Sequence, residues 1–176
     1  AVQAQAVPFT PDFAKQSVGL GYAPGSYAGY SYDEFTKDIA VADFNGDTFT
    51  DVVVVNNGFT FANGSSEQIV VGQSYVMLGD GTGVFERSIP IGEPGLKSQA
   101  VAVGDLNDDD EIDIVIGFES GLCIPFLNDG SARFTAGAGF GNQDDEYTRS
   151  IAIGNLNGDA HVDVVMCCLT GGTSTW

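Results

Sequence analysis

Asp43-Phe44-Asn45-Gly46-Asp47-Thr48-Phe49-Thr50-Asp51 stands between two short apolar runs, Ile39-Ala40-Val41-Ala42 and Val52-Val53-Val54-Val55. The arrangement returns twice more without gaps. Asp105-Leu106-Asn107-Asp108-Asp109-Asp110-Glu111-Ile112-Asp113 lies between Val101-Ala102-Val103-Gly104 and Ile114-Val115-Ile116. Asn155-Leu156-Asn157-Gly158-Asp159-Ala160-His161-Val162-Asp163 lies between Ile151-Ala152-Ile153-Gly154 and Val164-Val165-Met166. The loops begin at positions 43, 105 and 155, so the offsets are 62 and 50 residues. Val- and Ile-rich runs of about four or five residues are too short for a helix and fit buried strands. Small and branched residues alternate in each leading run (Ala40, Ala42; Ala102, Gly104; Ala152, Gly154), which suits a crowded inner strand.

Working outward, a second repeat follows each loop. Tyr75-Val76-Met77-Leu78-Gly79-Asp80-Gly81 leads to Phe85, and Ile124-Pro125-Phe126-Leu127-Asn128-Asp129-Gly130 leads to Phe134. Asp-Gly between β-rich runs signals a hairpin whose turn residues can take positive φ. The strands expected next, Phe85–Gly92 and Phe134–Gly141, are alike, and Phe13–Leu20 reads as another copy of them. Each unit is then strand, acidic loop, strand, connection, strand, Asp-Gly turn, strand. Four antiparallel strands in about 50–60 residues make a propeller blade. The expected fold is all-β: an incomplete β-propeller of about two and a half blades. A segment over 1–34 holds a lone outer strand and a Tyr/Gly-rich linker. Blades follow over 35–97 and 98–148, and a partial blade over 149–176, each with one acidic loop. Propellers close with about 4–8 blades. The chain is therefore expected to belong to a longer propeller, or to be completed by blades of other chains.

Composition agrees with a globular, turn-rich chain: 43% hydrophobic, 17% charged and 24 glycines in 176 residues. The formal net charge is −18, with no basic stripe, which argues against nucleic acid and anionic membrane surfaces as partners. No apolar run has the length of a membrane-spanning helix. Ala4-Gln5-Ala6 resembles the small-residue end of a processed targeting peptide, and Asn63-Gly64-Ser65 is a glycosylation sequon. Three cysteines, Cys123, Cys167 and Cys168, do not describe a disulfide framework. Cys167 and Cys168 would point to opposite faces of a strand, so one of them could reach Cys123.

The acids cluster at fixed spacing. Counting from the first loop residue, positions 1, 3, 5 and 9 are Asp43, Asn45, Asp47 and Asp51; Asp105, Asn107, Asp109 and Asp113; Asn155, Asn157, Asp159 and Asp163. In a tightly curled loop these oxygens can converge on one cation, with position 7 (Phe49, Glu111, His161) lending its main-chain carbonyl. About 6–8 oxygen ligands suit calcium; magnesium demands a stricter octahedron, and no thiol or imidazole is placed for zinc. Position 4 (Gly46, Asp108, Gly158) is a residue type that tolerates positive φ. The other reading of an Asp-rich loop is a turn held by side-chain to main-chain hydrogen bonds. Up to three divalent ions would bring the formal charge from −18 to −12.

These loops, with the trailing Gly79-Asp80-Gly81 and Asn128-Asp129-Gly130 turns, resemble FG-GAP/VCBS repeats over residues 13–168. Such repeats build the propellers of integrin α subunits, some fungal propeller lectins and many secreted microbial proteins. The resemblance implies calcium and an extracellular or lumenal setting. It leaves open a protein-binding, adhesion or assembly module, a carbohydrate-binding lectin, and a part of a polysaccharide-acting enzyme. Departures are Asn155 for an acid and Asp108 for a glycine. The single His161 has no nucleophile partner in the sequence, so a non-enzymatic role is expected. The Tyr-, Gly- and Ser-rich segment Gly21–Tyr32 is the candidate contact surface, for a protein partner or a glycan.

Overall fold

The apolar runs flanking the first loop are strands β1 (Phe35–Ala42) and β2 (Asp51–Asn57), paired antiparallel from Ala42↔Asp51 back to Phe35↔Asn57. The structure, a computed structural model, describes residues 35–57, 59–63, 66–70, 72–85, 87–142 and 147–169. The strand expected at Phe13–Leu20, the segment Gly21–Tyr32, the last two sequon residues and the tail Gly171–Trp176 lie outside the described residues. Among the described residues every regular element is a strand.

The connection expected after β2 is itself a hairpin, β3 (Phe59–Asn63) with β4 (Ser66–Val70). It accounts for most of the excess of 62 residues over 50 between successive loops, because the next blade makes the same connection at Glu119–Gly121. The first blade then closes with β5 (Ser74–Leu78) and β6 (Arg87–Ile91), in the order β1-β2-β5-β6. The second comprises β7 (Ser98–Gly104), β8 (Asp113–Phe118), β9 (Leu122–Asn128) and a fourth strand in two pieces, β10 (Phe134–Ala136) and β11 (Phe140–Gly141). Phe134–Gly141 was expected as one strand. It pairs with β9 at both ends, but three residues between Ala136 and Phe140 oppose two between Phe126 and Cys123, so it bulges. Pro125 sits opposite that break and lacks the N–H of a regular ladder, while its carbonyl accepts Gly137 N–H at 2.8 Å. β12 (Tyr147–Gly154) and β13 (Asp163–Leu169) form the two-stranded start of a third unit.

The repeat goes deeper than its loops. The first strand of each unit carries a register shift at the same place: Thr36/Asp38, Ser98/Ala100 and Thr148/Ser150. These inner strands pack side by side, β7 between β1 and β12. A Cβ on Gly104 would lie 2.9 Å from Ile153 Cγ2, so the small residue there permits the close approach of β12. β8 is buried along its whole length, because each of its faces meets a neighbour. Ile114, Ile116 and Phe118 join Val53, Val55, Val76, Ile91 and Phe126 in the core between the two blades. Val115 joins Ala100, Cys123 and Ile151 in a smaller core towards the third unit. Burying one such aliphatic or aromatic side chain stabilises the fold by about 1.5–3 kcal/mol.

Candidate metal centre

The first loop is a net of hydrogen bonds centred on position 1. Asp43 Oδ1 accepts the N–H groups of Asn45, Gly46 and Asp47 at 3.3, 2.8 and 3.2 Å, and Asp43 Oδ2 accepts Thr48 N–H at 2.7 Å. Asn45 Oδ1 accepts Asp47 N–H at 3.1 Å, and Asn45 Nδ2 donates to Asp47 Oδ2 at 2.8 Å. Asp47 Oδ1 accepts Phe49 N–H at 2.8 Å. The side chains at positions 1, 3 and 5 are thus folded into one turn. The second loop repeats this net with Asp105, Asn107 and Asp109, including Asp110 N–H to Asp105 Oδ2 at 2.9 Å. Gly46, Asp108 and Gly158 all have positive φ, as position 4 was expected to. The structure adds position 6, where Thr48 and Asp110 are left-handed at φ 72° and 68°. Nothing in the residue types announced that, since a β-branched Thr avoids this region.

Position 9 works differently from the rest. Asp51 is fully buried; its Oδ2 accepts Phe44 N–H at 2.9 Å and its Oδ1 accepts Gly79 N–H at 2.8 Å. Asp113, also fully buried, does the same for Leu106 and Asn128 at 2.9 and 2.8 Å. The carboxylate therefore clamps the start of the loop to the end of the blade's third strand. Both carboxyls are pushed above their ordinary pKa, first by burial and then by the charges at positions 5 and 1, against the lowering effect of the N–H donors. Asp105 ends below its ordinary value: its burial raises it, but the N–H groups of Asp110, Asp109 and Asn107 outweigh that. The Gly at 79 is required sterically, since a Cβ would come within 2.3 Å of Thr50 O.

Position 7 lays its side chain on the neighbouring turn. A Cβ on Gly81 would strike the Phe49 ring at 2.4 Å, and one on Gly130 would strike Glu111 Cδ at 2.7 Å. The Asp-Gly signal did mark hairpins, but positive φ falls on Gly81 and Gly83, and on Gly130 and Ala132, so each pair takes it at its glycine and not at its aspartate. The turn aspartates instead accept hydrogen bonds, Thr82 N–H to Asp80 Oδ1 and Ser131 N–H to Asp129 Oδ1.

The third loop is incomplete. Asn155 Oδ1 accepts Gly158 N–H at 2.7 Å, but its Nδ2 donates to Asp159 O where a carboxylate would accept the position-6 N–H. Asn157 and Asp159 keep their mutual bonds, and Asp163 Oδ2 accepts Leu156 N–H at 2.8 Å. His161 N–H bonds Asp159, and its ring Nδ1 meets Asp108 Oδ2 at 2.5 Å, joining the second and third loops.

Sequence reading missed what position 2 does. Phe44 is 0% exposed and enters the second blade: its carbonyl accepts Asn128 Nδ2 and Ala132 N–H, both at 2.9 Å, and its ring meets Phe134 edge-on at 5.8 Å. An aromatic residue amid a polar loop was the available signal. Cys123, Cys167 and Cys168 are free thiols. Burial pushes Cys123 up to about 11, and both it and Cys168 approach Thr148 Oγ1 at 3.9 Å.

All donors at positions 1, 3, 5 and 9 are hard oxygens, the set a calcium ion takes. Crowded carboxylates with a raised neighbour beneath them fit a divalent cation on electrostatic grounds in the first two loops. Their oxygens are meanwhile engaged by N–H groups, and among the described residues no three His, Cys, Asp or Glu side chains close around one metal-sized point.

Antiparallel four-stranded sheets radiating from packed inner strands, each with an acidic loop after its first strand, define a propeller-like repeat protein. Residues 43–116, from the first loop to the end of the second, match the family model of the FG-GAP-like repeat. No curated protein matches the chain.

Proposed function

We propose that this chain is part of a calcium-stabilised propeller that acts as a binding or assembly module for proteins and not as an enzyme. The observation that carries the reading is the recurrence of one net, centred on Asp43 in Asp43–Asp51 and on Asp105 in Asp105–Asp113, each closed by a buried, charge-crowded carboxylate at position 9. Asp43, Asn45, Asp47, Asp51 and the Phe49 carbonyl would hold one ion, and Asp105, Asn107, Asp109, Asp113 and the Glu111 carbonyl a second. Asn155, Asn157, Asp159, Asp163 and the His161 carbonyl would form a weaker third site, one carboxylate short. Bound calcium supplies positive charge that offsets the repulsion between these carboxylates. The ion's role is structural, since the loop clamps the first two strands to the third. Calcium dependence of this kind matches an extracellular or lumenal setting, where calcium is abundant.

Thermal unfolding with excess chelator, with about 1 mM calcium and with magnesium tests the reading. At ~100 times its dissociation constant, each ion adds about 2.7 kcal/mol. A calcium-specific rise in midpoint that shrinks in Asp43→Asn and Asp105→Asn supports it. An unchanged midpoint makes the loops hydrogen-bonded turns and removes calcium, and the localisation drawn from it.

A further inference from the structure

We propose that the cleft between the outer strands of the two blades binds a small carboxylate with an apolar body. β6 and the β9–β10 hairpin belong to different blades, and a cavity of about 370 Å³ lies between them. Its apolar lining includes Ile89 and Ile91 on β6, Phe126 on β9 and Phe134 on β10. Ile91 and Phe126 also belong to the core shared by the blades, so this lining is anchored in the core.

Two arginines line the same cavity. Arg87 lies two residues before Ile89 and shares its face of β6; Arg133 directly precedes Phe134. The chain holds three arginines in all, Arg87, Arg133 and Arg149, and six basic residues against 24 acidic ones. Both cavity arginines are exposed, and among the described residues neither has an ion-pair partner; the pairs there are Lys97–Glu119 and His161–Asp108. Glu93 also lines the cavity, leaving its charged lining net positive.

In a chain of net charge −18, two guanidiniums beside an apolar wall make a local exception. A guanidinium takes a carboxylate through two parallel N–H···O bonds, and the hydrocarbon walls take the rest of the ligand. The volume falls within the range of small-molecule sites. None of the proposed calcium ligands lines the cavity.

Calorimetric titration with 3-phenylpropionate and its uncharged amide, at low salt and saturating calcium, tests the proposal. The acid is expected to bind at least tenfold more tightly than the amide. The double variant Arg87→Gln/Arg133→Gln is expected to lose at least tenfold in affinity for the acid and nothing for the amide. Its melting temperature should stay unchanged, because both side chains are exposed. Ligand-induced NMR shifts should centre on Ile89, Ile91 and Phe126. Equal binding of acid and amide, undiminished binding by the double variant, or no acid binding at about 10 mM overturns the proposal.

Discussion

The second and third acidic loops start with Asp105 and Asn155, and one NH₂ group in place of an oxygen reorganises the turn. Asp105 accepts Asp110 N–H and holds that residue left-handed; Asn155 donates to Asp159 O, and Ala160 does not adopt positive φ. Their settings differ as well. Asp113 is buried and clamps both Leu106 and Asn128, whereas Asp163 is half-buried and clamps Leu156. The loop is thus half of a device, and the end of the blade's third strand is the other half. The same contrast holds at position 2: Phe44 is 0% exposed inside the next blade, while Leu156 is 69% exposed.

The sharpest way to break this comparison is at position 2. Phe44→Ala is expected to cost about 3–5 kcal/mol, and Leu156→Ala within about 0.5 kcal/mol, measured by urea denaturation. Equal costs would mean that the plug into the next blade contributes nothing particular. Next comes the clamp. Asp113→Ala removes two charge-assisted bonds and strands two N–H groups, one of them on buried Asn128, for about 3 kcal/mol; Asp163→Ala loses one bond at a half-buried site, for about 1 kcal/mol.

Acid sharpens the contrast further. The folded pKa of Asp113 lies above the unfolded 3.8, so the native state binds more protons between those values. In chelator, the wild type should therefore gain stability relative to Asp113→Asn as pH falls from neutral through the folded pKa towards 3.8. With calcium bound, ionisation of the folded state is favoured instead, so no such gain appears, and the wild type should lose relative stability as pH falls below the unfolded 3.8. Chemical denaturation across pH, with and without calcium, reads the sign. Smallest of all, Thr48→Gly and Asp110→Gly should each stabilise the chelated protein by up to about 1 kcal/mol, by removing side chains held at positive φ. Ala160→Gly should give no such gain.

The blades were legible because their signals are local. The Val52–Val55 run is read from composition, and the Asp-Gly punctuation marks both hairpins. The β3–β4 hairpin was not read, since its strands carry polar residues and serve no repeat. The split of Phe134–Gly141 was missed because its cause, Pro125, lies on the partner strand. The oxygen pattern of the loops was plain in the sequence, yet the division of labour within it was not. Positions 1, 3 and 5 bind their own turn, while position 9 reaches 28 residues onward from Asp51 to Gly79.

The sequence by itself determined the strand–loop–strand unit, its threefold recurrence and the oxygen-rich character of each loop. All three are properties of neighbouring residues, written in side-chain period and turn chemistry. The tertiary structure decided which carboxylates are buried, which position-2 residue becomes a plug, and which arginines line one cleft. Those depend on which blade stands next to which, and chain segments more than 80 residues apart, such as Phe44 and Asn128, are joined only by packing.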